Sequence, residues 1–282
     1  MSPIYVPGKV TLKYETVSPL LLDSYSGAAA AYSLRQLSWA YGGPVVRVRR
    51  DNDNAEQDFT ATEVSDGTLA SWVGAGNNGF VRTWYDQSGN GRHAQQGNSP
   101  NQPQIVSSGA VATIGTKPAL SFDGSNDFMT VSSFGKTLLE NNLTMFFAFK
   151  SSSTAGLSPL CFQNTVGSDI PWLVPVVDFS SGTQTRTYAA GGYILAQSYA
   201  AGASALYTFK HVSGVYTKTY NGTNTVSAAH PSTQTGETLY LGNWYSGYIG
   251  MSFPELIVYN ADLSTSQAAI EANINAHYNI YP

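Results

Sequence analysis

Residues 84–94, WYDQSGNGRHA, gather an acid, a hydroxyl, an imidazole and two glycines within one short stretch. Asp86, Ser88 and His93 are the residue types of an acyl-transfer triad, in which the acid orients the base and the base reaches the hydroxyl. Three members within eight residues of one loop rarely converge on that geometry. The composition fits a structured turn better. Asp and Ser side chains hydrogen-bond nearby backbone, and Gly89 and Gly91 can take positive φ. Such a turn can also wall a glycan groove, with Asp86, Asn90 and His93 as the residues it would offer.

Other polar clusters carry less chemistry. RDNDNAEQDF supplies Asp51, Asp53, Glu56 and Asp58, oxygen donors of the kind calcium takes. The EF-hand spacing is absent, with no Gly at the sixth position and no Glu at the twelfth. A solvated acidic loop paired with Arg47, Arg49 and Arg50 is the expectation. Asp123 and Asp127 in FDGSND are read as turn-formers. The lone cysteine, Cys161, excludes an internal disulfide and is read as a small buried hydrophobe. His211, His230 and His277 are scattered, so neither a metal nor another cofactor is expected. Trp172, Tyr193, Trp244, Tyr245 and Tyr248 have faces suited to stacking on sugars, although core packing accounts for such residues equally well.

The elements that must position these groups follow from composition and pattern. The chain has 282 residues, 42% hydrophobic and only 11% charged, against roughly a quarter charged in typical domains. Its 27 glycines and 18 tyrosines suit many short strands joined by tight turns. The net charge of −4, with no basic run, argues against nucleic acid as the main partner. No apolar stretch approaches the roughly 18–20 residues of a membrane span, and the N-terminus lacks the pattern of a Sec signal peptide.

Residues 1–22, with Pro3, Pro7 and Pro19 around a strand-like VTLKYETV, are read as an arm or edge strand, and 23–282 as one domain. In SYSGAAAAYSLRQLSWAY, Tyr25, Ala29, Tyr32 and Leu37 share a helical face. Val46 and Val48 alternate with Arg47 and Arg49 as in a half-exposed strand. A short helix is expected over Thr68–Val73. From Lys117 onward the pattern is almost all strand, with Asn221-Gly222 marking a two-residue hairpin turn. A final helix is expected with Ser264 and Gln267 as its capping box and Ile270 and Ile274 as its apolar stripe. Antiparallel strands at this spacing predict an all-β sandwich or barrel.

FDGSNDFMTV followed much later by FPELIVYNADLS resembles the concanavalin A-like, laminin-G-type jelly-roll sandwiches. Read with AYSLRQL, WYDQSGNGRHA and the closing LYLGNW to IEANINAHY, the chain from Tyr25 to Tyr281 is similar to the catalytic sandwich of fungal family-54 α-L-arabinofuranosidases. The same string also looks like a module of tailed-phage and environmental bacterial proteins. Retaining glycosidases need two carboxyl groups about 5 Å apart. The resemblance puts Asp178 at the family's Glu nucleophile and Asn243 at its Asp acid/base, with Cys161 where the family has adjacent cysteines. An amide cannot serve as the acid, and Glu255, the nearest carboxyl, falls within a strand.

The resemblance thus implies a non-catalytic, lectin-like sandwich that binds a glycan or a neighbouring structural protein. Its groove would comprise Trp172, Asp178, Tyr193, Asn243, Trp244, Tyr245 and Tyr248. Its setting would be the surface of a phage particle, as a tail or head fibre or decoration protein. There it would form a homo-oligomer attached to other virion proteins through the arm, and bind a cell-surface or polymeric glycan. The alternative is an active α-L-arabinofuranosidase-type hydrolase using Asp178.

Overall fold

The computed structural model describes residues 18–132, 134, 142–152, 158–163, 173–177, 184–189, 192–198, 202–229, 238–244 and 247–282. Strands of alternating direction form two layers. In one, Ala28–Ser33 pairs with Gly250–Tyr259, which pairs with Leu143–Ser151. Ser204–Val212, Val215–Tyr220 and Asn224–Ala229 follow in turn. In the other, Val46–Arg50 lies between Glu56–Phe59 and Gly79–Trp84. That layer continues through Ala94–Gln95 and Met129–Val131 to Thr238–Leu241. Leu160–Gln163, Leu173–Val177, Gln184–Ala189 and Gly192–Ser198 complete it. Phe147, Tyr207 and Val258 from the first layer meet Val48, Trp84 and Leu241 from the second in one buried core. This is the antiparallel sandwich that the strand pattern predicts.

The Ala-rich segment departs from expectation. Ala28–Ser33 is a strand, not a helix, and all six residues are buried. Ala29, Ala30 and Tyr32 join the main core, whereas Ala28 and Ala31 join a second core beneath the C-terminal helix. Burial on both faces erases the alternation that would mark a strand, and alanine's own helix preference is overridden by pairing with Gly250–Tyr259. Leu21–Ser24 forms a short helix whose Leu21 and Leu22 enter that second core. Residues 1–17 of the expected arm lie outside the described residues.

Elsewhere the local signals hold with adjustments. Val46 and Val48 are buried, but so is Arg49. Its Nε donates to Gln102 Oε1 (2.8 Å), its Nη1 donates to Asn54 Oδ1 (2.9 Å), and the guanidinium lies 5.0 Å from the Phe80 ring centroid. The helix Thr68–Val73 stands where predicted. Asn221 and Gly222 take φ of 49° and 70°, the left-handed values an Asn-Gly turn supplies. The paired residues are Tyr220 and Asn224, so the loop is one residue longer than the two-residue form. The last helix is Gln267–Tyr278 with Ile270 and Ile274 buried, but Ser264 does not cap it. Ser266 is the N-cap, Ser264 Oγ donates to Asp262 Oδ1 (2.5 Å), and Gln267 Nε2 donates to Thr219 and Glu271. A nearer carboxylate has taken the hydroxyl.

The strand Gly250–Tyr259 is buried almost throughout. Its pairing with Leu143–Ser151 slips between Ala148, opposite Glu255, and Lys150, opposite Ser252. The extra residue sits around Pro254, which has no N–H to lose and is tolerated at such a bulge. The bulge breaks the two-residue period, so Phe253 and Leu256 both face the main core while Glu255 lies on the other side with Ile257. There Glu255 accepts two bonds from Arg35, Nε at 2.8 Å and Nη2 at 2.9 Å, and others from Ser33 Oγ and Tyr278 OH. Burial pushes its carboxyl up, but Arg35 and the hydrogen bonds outweigh that and hold it below the ordinary range. Glu255 is therefore a structural anion, not a stand-in for a catalytic acid. Glu255→Gln leaves the Arg35 guanidinium without its counter-charge and is expected to lower unfolding free energy by about 3–5 kcal/mol. Urea denaturation would measure this, and a loss below about 1 kcal/mol would show that the pair is dispensable.

Candidate functional site

The family resemblance centres on the short hairpin in which Asn243 pairs with Tyr248 and Trp244 with Gly247. Gly242 launches it with φ of 81°. A Cβ at Gly242 would meet Phe122 Cδ1 at 2.4 Å and Asp127 O at 3.0 Å, so only glycine fits. Its N–H donates to Pro159 O (2.9 Å), and its carbonyl accepts from Ile249 N (3.1 Å). Asn243 is 9% exposed. Its backbone carbonyl accepts from the Cys161 thiol at 3.1 Å, which joins the hairpin to the neighbouring strand Leu160–Gln163. Cys161 is fully buried, as a small hydrophobe should be, and also serves as a donor. Tyr248 is half-buried, with its ring 6.2 Å from Phe128, which in turn stacks on Tyr240 at 6.3 Å.

Strand order brings other segments toward this hairpin. Phe162 pairs with Leu239 on one side and Leu173 on the other, and adjacent strands run in opposite directions. Leu241 and Val177 therefore lie toward the same end of the sheet, and Val177 is opposite Arg186. Tyr193 lies in the strand Gly192–Ser198, opposite Tyr188. Trp172, Asp178 and Tyr245 are outside the described residues, and for Tyr193 and Trp244 the backbone alone is described.

The conspicuous loop after Trp84 is spent on backbone. Asp86, 1% exposed, accepts through Oδ1 from Ala31 N (2.8 Å) and Ser88 N (2.9 Å). Its Oδ2 accepts from Ser88 Oγ (2.8 Å) and Arg92 N (3.1 Å). Asn90 Nδ2 donates to Ala28 O and Ala29 O, and His93 Nδ1 accepts from Asp86 N (3.1 Å). Gly89 and Gly91 take φ of 87° and 69°. Ser88 thus faces the acid rather than the imidazole, and no triad forms. The loop does border a depression of ≈370 Å³ facing Ser26, Ser38 and Tyr41, but through Gln87, Ser88 and Gly89. Gln87 was not singled out in the sequence. It is 3% exposed, accepts from Leu37 N, and donates to Ser33 O and Arg35 O. Only its place inside the polar run hinted at this.

The acidic loop is paired as its arginines suggest. Arg47 meets Glu56 (2.8 Å) and Asp58 (3.2 Å), Arg82 meets Glu56 (2.7 Å), and Arg50 meets Asp53 (2.7 Å). Arg49 departs from that set and bonds Asn54 and Gln102 instead. Among the described residues, no three His, Cys, Asp or Glu groups gather as a metal site would require.

No family model matches the sequence, and no curated protein does. Solved structures do. An arabinofuranosidase complexed with arabinofuranosyl-α-1,2-xylobiose superposes with a TM-score of 0.64 at 15% identity, covering 91% of this chain and 64% of that one. A GH54 α-L-arabinofuranosidase soaked with a cyclic sulfate inhibitor gives 0.63 at 13% identity over the same shares. A Trypanosoma rangeli sialidase with 2,3-difluorosialic acid gives 0.51 at 13%, covering 69% of this chain and 31% of that one. The chain thus spans somewhat under two thirds of the arabinofuranosidases it resembles. At this identity the likeness establishes the shared sandwich.

Beneath the hairpin, FDGSND is a turn, as its residue types suggest. Asp123 Oδ1 accepts from the N–H groups of Ser125, Asn126 and Asp127, and Asp127 Oδ2 accepts from Asp123 N (2.9 Å). Burial pushes the Asp127 carboxyl up to about 7, against the pull of that backbone bond, and the Asp123 charge adds to the rise. A raised folded-state value means that the native protein holds a proton the unfolded chain has lost. Stability therefore falls between the unfolded value near 4 and about 7, and stays lowered above. Asp127→Asn keeps an acceptor without the charge. It is expected to raise the melting temperature at pH 8 and to flatten the decline between pH 4 and 7. An unchanged pH profile would show that Asp127 ionises normally.

Proposed function

We propose that the chain is a glycan-binding sandwich that holds a neutral, arabinose-containing or related polysaccharide at the Asn243–Tyr248 hairpin without cleaving it. Asn243, standing where the sequence resemblance puts the family's acid/base, supports this reading. A carboxylic acid is needed there to protonate a leaving group, and an amide has no proton of that acidity to give. The same amide both donates and accepts hydrogen bonds, which suits sugar hydroxyls. Trp244, the next residue in the chain, would supply a face for a sugar's apolar side, and Asp178 would contribute acceptor oxygens.

A second reading is hydrolysis of the α-L-arabinofuranosidase type with Asp178 as nucleophile. The observation favouring it is that solved structures covering 91% of the chain are arabinofuranosidases. That likeness speaks more for a hydrolase than for a phage-particle protein. Placement on a virion surface, attachment through residues 1–22 and homo-oligomerisation are proposed on the sequence resemblance alone.

Prolonged incubation with nitrophenyl arabinofuranoside and with arabinoxylan decides between the readings. No turnover is expected. Turnover that vanishes in Asp178→Ala would establish the hydrolase. For binding, Trp244→Ala is expected to weaken retention on arabinoxylan about tenfold, equivalent to about 1.4 kcal/mol. Undiminished binding by a folded Trp244→Ala protein would remove the hairpin from the site.

A further inference from the structure

A cleft of ≈300 Å³ lies beside the C-terminal helix, lined by Arg35, Thr62, Ser65, Lys117, His277 and Tyr278, with Leu34, Ala61 and Pro118 as apolar wall. It shares no residue with the hairpin. Its polar groups are unevenly used. Arg35 directs Nε and Nη2 to Glu255, while Nη1 has no hydrogen-bond partner among the described residues. Lys117 is half-buried and forms no ion pair or side-chain hydrogen bond among them. His277 is also half-buried, its ring lies edge-on to Tyr278 at 4.6 Å, and its nitrogens are likewise unpartnered among the described residues. Unused donors converge here in a chain whose net charge is −4.

The acceptors are equally specific. Ser65 Oγ already donates to Ala61 O and Thr62 O, so it can only accept. Gln36, also at the rim, gives its Nε2 to Ser38 O and Tyr41 O, which leaves Oε1 to accept. A ligand that complements this set carries one anionic group and several hydroxyl donors on a compact body with an apolar face.

We propose that this cleft binds a carboxylate-bearing sugar of about monosaccharide size, such as a uronic acid, with Lys117 and Arg35 Nη1 holding the carboxylate and Ser65, Thr62 and Gln36 taking ring hydroxyls. The charge balance selects a monoanion. Glu255 cancels Arg35, and His277 is held neutral, its value pushed down to about 4 by burial first and then by Arg35 and Lys117. Among the described residues that line the cleft, Lys117 is left as the one uncompensated cation. A dianionic phosphate would bring a second charge close to buried Glu255 with nothing to meet it. The volume is at the lower end of ligand pockets, roughly 300–1,000 Å³. The cleft continues past Gln36, Ala61 and Thr62 into a depression of ≈210 Å³, room for a second sugar.

The test is calorimetric titration of the full chain with sodium glucuronate, glucose, acetate and phosphate. Saturable glucuronate binding is expected, tighter than that of the other three probes. Lys117→Met should weaken it at least about tenfold, or about 1.4 kcal/mol, while Lys117→Arg retains it. Ser65→Leu, which fills the cleft from an exposed position, should abolish it without unfolding the protein. No binding of glucuronate at tens of millimolar, equal binding by folded Lys117→Met, or tighter binding of phosphate would each overturn the proposal. None of these outcomes bears on the hairpin, because that site is probed by neutral glycans.

Discussion

The bulge around Pro254 in the strand Gly250–Tyr259 is the constraint on which the rest of the molecule depends. This strand is shared by Ala28–Ser33, Leu120–Asp123 and Leu143–Ser151, and it separates two apolar cores. A regular strand would have put Phe253, Glu255 and Ile257 on one face. The extra residue lets Phe253 pack inside the sandwich and sends Glu255 outward beneath the C-terminal helix. A carboxylate in that second core is tolerable only with a counter-ion and full hydrogen bonding, which Arg35, Ser33 and Tyr278 supply. The helix, the Ala-rich strand and the segment after it are thus tied to one buried group.

A related economy explains the loop after Trp84. Ala28–Ser33 has a strand partner on one edge, and its other edge would leave backbone groups buried and unpaired. The loop takes the place of a strand there. Asp86 Oδ1 accepts from Ala31 N, Gln87 N donates to Ala31 O, Asn90 reaches Ala28 O and Ala29 O, and Gln87 Nε2 reaches Ser33 O. The polar types that look catalytic in the sequence are the types needed to imitate a hydrogen-bonding edge with side chains. Gly89 and Gly91 let the chain curl tightly enough to present them.

What the sequence made legible is what local chemistry decides. The strands after Lys117, the Asn-Gly turn, Thr68–Val73, the stripe of Ile270 and Ile274, and the turn character of FDGSND each depend on residues within a few positions. The errors arose where a partner that the local pattern does not weigh decides, in most cases a distant one. Ala28–Ser33 carries a helix former in four successive positions and became a strand because Gly250–Tyr259 pairs with it. Ser264 had the spacing of a cap, but Asp262 two residues away took its hydroxyl. Arg49 alternates like a solvent-facing residue, yet it is buried, with Gln102 receiving it in the interior and Asn54 at the surface. Arg35 and Glu255 are 220 positions apart, and nothing local in either segment announces the pair.

The use of carboxylates bears directly on chemistry. The buried acids among the described residues are Asp86, Asp127, Glu255 and Glu271. Asp86 completes the edge of Ala28–Ser33, and Glu255 neutralises Arg35. Glu271 accepts from Thr208 Oγ1 and Gln267 Nε2 between the helix and the sheet. Asp127 is the acid held protonated up to about neutral pH, which is where a general acid works, but its Oδ2 is turned onto Asp123 N within its own turn. Each therefore commits at least one oxygen to folding. Among the described residues of the hairpin the buried polar side chain is Asn243, an amide that carries no acidity. The four buried acids thus serve the sandwich itself, and any chemistry the chain performs must draw on carboxylates outside this set.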